Sequence, residues 1–295
     1  MRFLIVGASG LVGRHLFRQC RTAGHATLGT QCSTHMPGLE TFDLAEERIG
    51  DCLRRSPLPG DGPAVAVVCA GISQIDRCLR ERELCYRVNV TNTIRLLEDV
   101  SALGCRPVFL STGFIFDGTV GHYAEEAPPR PINEYGRQKL AVEEFISREL
   151  PEALLVRLDK VIGDDPGEAH LFTEWYRAAA EGGAVVCIAG QEFSPTLVGD
   201  IAQAILLASE QGLRGVYHVA NPECCSREEL ARQFLRCLGK PATVESRTQE
   251  SLGFADLRPL KTCLDGTKFT KATGMQFTTA QEAIQRFLAR LPVGR

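Results

Sequence analysis

The stretch RFLIVGASGLVGRHLF, residues 2–17, limits the fold more tightly than any other part of the chain. A short apolar run breaks at Gly7, the glycines Gly7, Gly10 and Gly13 follow with GxxGxxG spacing, and helix-like periodicity begins at once. The apolar run is too short for a signal peptide or a membrane span and fits a buried first strand. In a strand, loop and helix each glycine has its own task. Gly7 lets the chain turn tightly, Gly10 lets backbone approach a pyrophosphate, and Gly13 lets the helix pack on the strand while the helix N-terminus faces the phosphates. Gly7, Ser9, Gly10, Leu11, Val12, Gly13 and Arg14 are therefore expected to line a dinucleotide.

Apolar runs then alternate with helical stretches: a helix at 10–23, a run at 26–29, a strand at 65–69, a helix through 82–103, a strand at 108–111, a helix from Tyr135 to Leu150 and a strand at 153–157. Continuous apolar runs suit strands covered on both faces. The expected fold class is α/β, a Rossmann-type doubly wound parallel sheet. Residues 1–162 read as the NAD(P)-binding domain and 163–295 as a substrate-binding portion. Within the second part, 185–220 is expected to add to the main sheet, and a smaller lobe from Ser226 onward should close over the strand ends, where ligands bind in such sheets.

The second strand ends in ATLGTQCSTH, with no carboxylate to bond an adenosine ribose. NADP is therefore favoured over NAD, with Arg14, Thr30, Ser33 and Thr34 as candidate partners for a 2′-phosphate. Asp43 and Leu44, near the next strand end, could meet the adenine; Asp43 serves equally well as an N-cap for a helix at 45–54.

Tyr135 and Lys139 stand four residues apart in PINEYGRQKLAVEEF, which puts both side chains on one helix face. A nearby ammonium favours the phenolate, so the tyrosine pKa is expected below its usual value of about 10. The pair would then donate and accept a proton near neutral pH.

The glycine loop, Asn89, Ser111-Thr112 and Tyr135/Lys139, in this order, resemble the extended short-chain dehydrogenase/reductase superfamily. Nearest is the dTDP-4-dehydrorhamnose reductase group, which also includes the regulatory β subunit of methionine adenosyltransferase. The match is carried by AGISQIDRCLRERELCYRVNV, STGFIFDG, PINEYGRQKL, QEFSPTLVGDIA and LRPLKTCLD. The resemblance implies that Tyr135 is the acid, Lys139 its tuning partner and Thr112 the hydroxyl on the substrate carbonyl, with Ala70 and Gly71 lining the cofactor. It places Ser111, Thr112, Gly113, Phe114, Asp159, Lys160, Gln191 and Arg258 toward the substrate, while Asn89 could equally pin a helix.

Two departures from the group stand out. Gly113 and Phe114 replace an acidic and a phenolic side chain, and RLDKVIG puts Asp159 and Lys160 where the group has a small polar residue and a sugar-stacking tryptophan. These changes imply a substrate other than dTDP-4-dehydrorhamnose, with a carboxylate or phosphate near the reacting carbon; the bland alternative is a Lys160 that reaches solvent and pairs with Asp159. The expected function is NAD(P)H-dependent reduction of a keto group on a nucleotide-linked or activated sugar. An epimerase of the same superfamily and a non-catalytic, cofactor-binding regulatory subunit are the alternatives.

A net charge of −3 with interspersed signs gives no electrostatic reason for nucleic acid or an anionic membrane as a partner. The twelve cysteines are scattered without a CxxC pair and read as reduced, mostly buried thiols of a cytoplasmic enzyme. No metal site is expected at Cys224-Cys225, and a homodimer is the default assembly.

Overall fold

The protein is described by a computed structural model over residues 1–240 and 242–292. Six strands lead the chain: β1 (Arg2–Val6), β2 (Ala26–Gln31), β3 (Glu40–Thr41), β4 (Ala64–Val68), β5 (Cys105–Thr112) and β6 (Leu154–Leu158). With Gly215–His218 they form a parallel sheet in the order 215–218, β6, β5, β4, β1, β2, β3. The helices are α1 (Leu11–Thr22), α2 (Ile49–Arg55), α3 (Ile75–Arg80), α4 (Arg82–Tyr86), α5 (Thr93–Ala102), α6 (Glu134–Glu149), α7 (Leu171–Ala180), α8 (Val198–Glu210), α9 (Arg227–Leu238), α10 (Thr267–Thr273) and α11 (Ala280–Ala289).

Because side chains alternate across a strand, β1 feeds two cores at once. Phe3 and Ile5 pack with Leu16 of α1, Ile201 and Ile205 of α8 and Phe269 of α10. Leu4 and Val6 pack on the other face with Leu97 of α5 and Val142 and Ile146 of α6. Both layers exclude water, which is why the strands read as unbroken apolar runs rather than as an alternation. The expected helix through 82–103 is interrupted at Arg87–Asn92 by a π-helical turn that carries Asn89. None of the described helices is long and apolar enough to cross a membrane.

A third core lies beyond the sheet. Phe172, Trp175, Phe234 and Phe287, from α7, α9 and α11, pack ring against ring at centroid distances of 5.2–5.9 Å, with Ile162, Val185 and Leu197 around them. The lobe therefore begins to form at Ile162 rather than at Ser226, and the chain crosses between the two bodies more than once. Of the stretch 185–220, only Gly215–His218 joins the main sheet. Val185–Ile188 instead pairs with Val244–Arg247 inside the lobe, a partner 59 residues away that no local pattern reveals. α8 and α10 return to the main sheet.

The expectation of thiols throughout is corrected at one place. Cys224 is disulfide-bonded to Cys263, with Cα atoms 5.7 Å apart, which ties the turn after the last strand to the segment holding Thr262 and Leu264. A partner 39 residues on leaves no spacing signature. The remaining ten cysteines are free.

Candidate active site

Two adjoining clefts of roughly 400 and 330 Å³ run along the carboxyl ends of the strands and share Gly10, Cys69, Ala70, Gly71 and Ile72. The glycine loop is shaped for close approach. Gly7 has φ +87°, and a Cβ there would lie 2.7 Å from the Ala70 nitrogen; a Cβ on Gly13 would lie 2.2 Å from the Gly7 carbonyl oxygen. Only glycine lets α1 meet β1 at this distance. Gly10 is exposed at the head of α1, where free N–H groups face the cleft. Such a cradle fits the pyrophosphate of a dinucleotide.

The expected partners of the adenosine end divide. Thr30, Ser33 and Thr34 line the cleft with Cys32, and the Thr30 hydroxyl also accepts from the Gly7 N–H at 3.2 Å and braces the loop. Arg14 does not line either cleft. Its guanidinium donates to the Ser9 carbonyl at 2.8 Å and lies 3.6 Å from Glu168, so the sequence-based assignment to a phosphate is corrected. Leu44 is buried in the cleft wall. Asp43 lines the cleft and accepts from the Ala45 N–H at 2.8 Å, capping a turn; the helix expected at 45–54 begins only at Ile49, with Arg48 as its N-cap. Residues missed from the sequence, Gln31, Phe42 and Arg77, also line this end.

The second cleft gathers Thr112, Tyr135, Lys139 and Asp159 with Leu11, Val12 and Gly13. Asn133 caps α6, accepting from the Gly136 N–H at 2.8 Å, and donates to the Leu257 carbonyl at 3.0 Å. Its position just before a helical run was a readable N-cap signal. A Cβ on Gly136 would lie 2.1 Å from the Phe114 carbonyl oxygen, so a glycine directly after Tyr135 lets α6 press onto the turn that follows Thr112. Asn89 accepts from the Ile72 N–H at 2.7 Å and donates to Gln138 at 2.9 Å. It thereby pins the loop after β4 to α6, the structural one of its two expected roles.

Lys139 donates to the Leu110 carbonyl at 2.8 Å and lies 4.5 Å from the Phe109 ring centroid, against 6.0 Å for the ring of Tyr135. Here the electrostatic expectation is corrected. Burial pushes the Tyr135 phenol above its ordinary range, opposed by the Thr112 hydroxyl, and Lys139 does not pull it down. Desolvation instead lowers the Lys139 ammonium to about 8, with Glu143 opposing. Tyr135 is thus held as a proton donor.

Ser111 lines the second cleft, with its hydroxyl donating to Glu143, which is paired with buried Arg157 at 2.8 Å. Gly113 is buried against Thr262 and Leu264, and Phe114 meets the Tyr135 ring edge-on at 6.3 Å. Arg258 is committed to Asp76 at 2.6 Å and lies 4.1 Å over the Phe254 ring, which closes the lobe segment against α3. Gln191 is buried and accepts from Arg227 at 3.3 Å. Asp159 accepts from the Ser194 N–H at 2.6 Å, and burial raises its carboxyl to about 7, against the pull of that hydrogen bond and of Thr262.

The family model of the RmlD substrate binding domain matches residues 1–293. The chain is 30% identical to the probable low-salt glycan biosynthesis reductase Agl14 of Haloferax volcanii, over 96% of this chain and 95% of that one. It is also 30% identical to a dTDP-4-dehydrorhamnose reductase of Mycolicibacterium smegmatis, over 98% and 85% of the two. Its fold matches the crystal structure of dTDP-4-dehydrorhamnose reductase from Bacillus anthracis in complex with NADP, with a TM-score of 0.85, 24% identity and 98% of each chain covered. The glycine cradle, the Tyr135/Lys139 helix and these likenesses together establish that the chain belongs to the RmlD substrate binding domain family of extended short-chain dehydrogenases/reductases.

Proposed function

We propose that this NAD(P)-dependent oxidoreductase reduces a keto group on a nucleotide-linked sugar, with Tyr135 as the proton donor. The observation that carries the reading is the meeting of Thr112, Tyr135 and Lys139 in one cleft that continues into the glycine cradle. A nicotinamide bound there would supply hydride to the keto carbon. The chain's own residues do the rest. The Tyr135 hydroxyl delivers its proton to the carbonyl oxygen as negative charge develops, the Thr112 hydroxyl donates a hydrogen bond to the same oxygen, and the Lys139 ammonium holds positive charge beside the phenol.

The preference for NADP rests on the end of β2, where Cys32, Ser33 and Thr34 line the cleft and the strand end itself carries no carboxylate to select a free 2′-hydroxyl, Asp43 reaching this cleft from the segment after β3. Ten free cysteines support a reducing compartment, the cytoplasm.

The test is consumption of NADPH, against NADH, by purified protein with a panel of nucleotide-linked 4-keto sugars, repeated with Tyr135→Phe. Turnover abolished by that substitution supports the reading. Tight cofactor binding with no turnover on any member overturns it in favour of a regulatory subunit, and a tighter grip on NADH overturns the cofactor preference.

A further inference from the structure

Beneath the reacting residues lies a buried ionic chain that the reduction as described does not use. Arg157, on β6, reaches one carboxylate oxygen of Glu143 through Nη2 at 2.8 Å and Nε at 3.1 Å, and the other through Nε at 3.2 Å. The Ser111 hydroxyl donates to that second oxygen. Arg157 is fixed in turn by the Glu125 carbonyl at 2.9 Å and by His218 at 3.3 Å. Both side chains of the pair are buried. Replacing such a pair by apolar groups is often neutral or stabilising, so stability alone does not explain its place under the site.

Two observations tie the pair to Lys139. Positions 139 and 143 are one turn apart on α6 and share a face. Lys139 donates to the Leu110 carbonyl at 2.8 Å while Glu143 accepts from Ser111, so the two side chains grip consecutive residues at the end of β5. Ser111, Thr112, Tyr135 and Lys139 all line the second cleft. The titratable and charged groups around the Lys139 ammonium are Tyr135 and Glu143 on α6, Cys69 after β4, Cys78 on α3 and Asp159 after β6. Burial pushes both thiols up to about 12, so they stay neutral, and Asp159 is turned to the Ser194 N–H. Lys160, the cation that the sequence placed toward the substrate, lines neither cleft. Glu143 is thus the carboxylate that the fold fixes behind Lys139. With desolvation bringing that ammonium to about 8, the charge beside it decides whether it keeps its proton.

We infer that Glu143 is a positioning residue for the reduction: braced by Arg157 and Ser111, it holds the Lys139 ammonium charged and in place while Tyr135 gives up its proton. This inference rests on the keto-sugar reading above and gives Glu143 no contact with the substrate. As the phenol proton passes to the carbonyl oxygen, the phenolate left behind needs a cation beside it. A Lys139 that has lost its own proton supplies none.

The test is the pH profile of kcat for NADPH oxidation with a nucleotide-linked 4-keto sugar, where loss of the Lys139 proton gives an alkaline limb. Glu143→Gln removes the anion and leaves the Arg157 cation, so the limb should move down by about one pH unit. Arg157→Gln does the reverse, and the limb should move up. Glu143→Asp keeps the charge and should restore the limb even where kcat is lower. NADPH binding by each variant checks that it has folded. Because each single variant breaks a buried pair, Glu143→Gln/Arg157→Gln, with two neutral hydrogen-bonding side chains, carries the test where a single one fails to fold. Its limb should also lie below that of wild type, since Glu143 acts on Lys139 more strongly than Arg157 does. Variants that lose activity or stability with the limb unmoved would confine Glu143 to holding the fold, overturning the inference and leaving the keto-sugar reading intact. Wild type that binds NADPH and reduces no sugar would overturn both.

Discussion

The floor of the active-site cleft and the wall opposite are held in different ways. From Gly7 to Gly13 the shape comes from contacts inside seven residues and from strands directly alongside, Thr30 on β2 and Ala70 after β4. On the wall, Asp159 takes its hydrogen bond from Ser194, 35 residues on, and Thr262 reaches it from a segment bonded through Cys263 to Cys224. The floor is local backbone geometry and the wall is assembled from distant pieces. Damage to one should therefore spare the work of the other.

Tyr135→Phe separates chemistry from binding most sharply. It should lower kcat by about 10³-fold, within the range for removal of a general acid, while NADPH affinity by fluorescence titration stays within about threefold. A comparable loss of NADPH affinity would place Tyr135 in cofactor binding instead. On the wall side, Phe234→Ala empties the centre of the lobe's aromatic cluster, where its ring stands 5.2 Å from Phe172 and 5.6 Å from Phe287. Urea unfolding should show a loss of about 3–5 kcal/mol, with little change in cofactor affinity. If NADPH binding fell along with stability, floor and wall would be one cooperative unit.

Gly13→Ala is the matching strike on the floor. Its Cβ would collide with the Gly7 carbonyl, so about 1–3 kcal/mol of overpacking strain should appear together with at least a tenfold weaker NADPH complex, read by the same titration. Thr279→Ala removes the capping box of α11, in which Thr279 and Glu282 bond each other's backbone. Loss of about 1 kcal/mol in the lobe is expected, and unaltered NADPH affinity would confirm its distance from the floor.

The smallest effect is a pH dependence on the wall. Asp159, raised to about 7, keeps its proton when folded over a range in which the unfolded chain has released it. Native stability from this group is therefore fully present below the ordinary carboxylate range and is lost as pH rises to 7. The melting temperature of wild type relative to Asp159→Asn should drop by roughly 2–4 °C between pH 5 and pH 8. A constant difference across that range would mean that the carboxyl titrates normally.

The same division decides how much could be read in advance. The glycine loop, the parallel sheet and the Tyr135/Lys139 face were legible because each is set by short-range periodicity and steric need. The partners of Arg14 and Arg258 were not legible because a long cation seeks whichever partner the fold brings near, and here those are Glu168 and Asp76. Ser111 sits at a recognisable strand end and lines the cleft, yet its hydroxyl is held by Glu143, a partner 32 residues on that local spacing does not show. The acidity of Tyr135 went the other way from expectation because spacing reports proximity and not burial, and burial dominates.

By itself the sequence determined the strand and helix rhythm, the close approach at Gly7 and Gly13 and the one-turn spacing of Tyr135 and Lys139, since backbone sterics and helical period act over a few residues. Only the tertiary structure decided that Val185–Ile188 leaves the main sheet for Val244–Arg247, that Cys224 meets Cys263, and that the Ser194 N–H meets the Asp159 carboxyl. Those outcomes depend on which distant segments share the lobe and on what each charge finds there once water is excluded, and neither is written in local spacing.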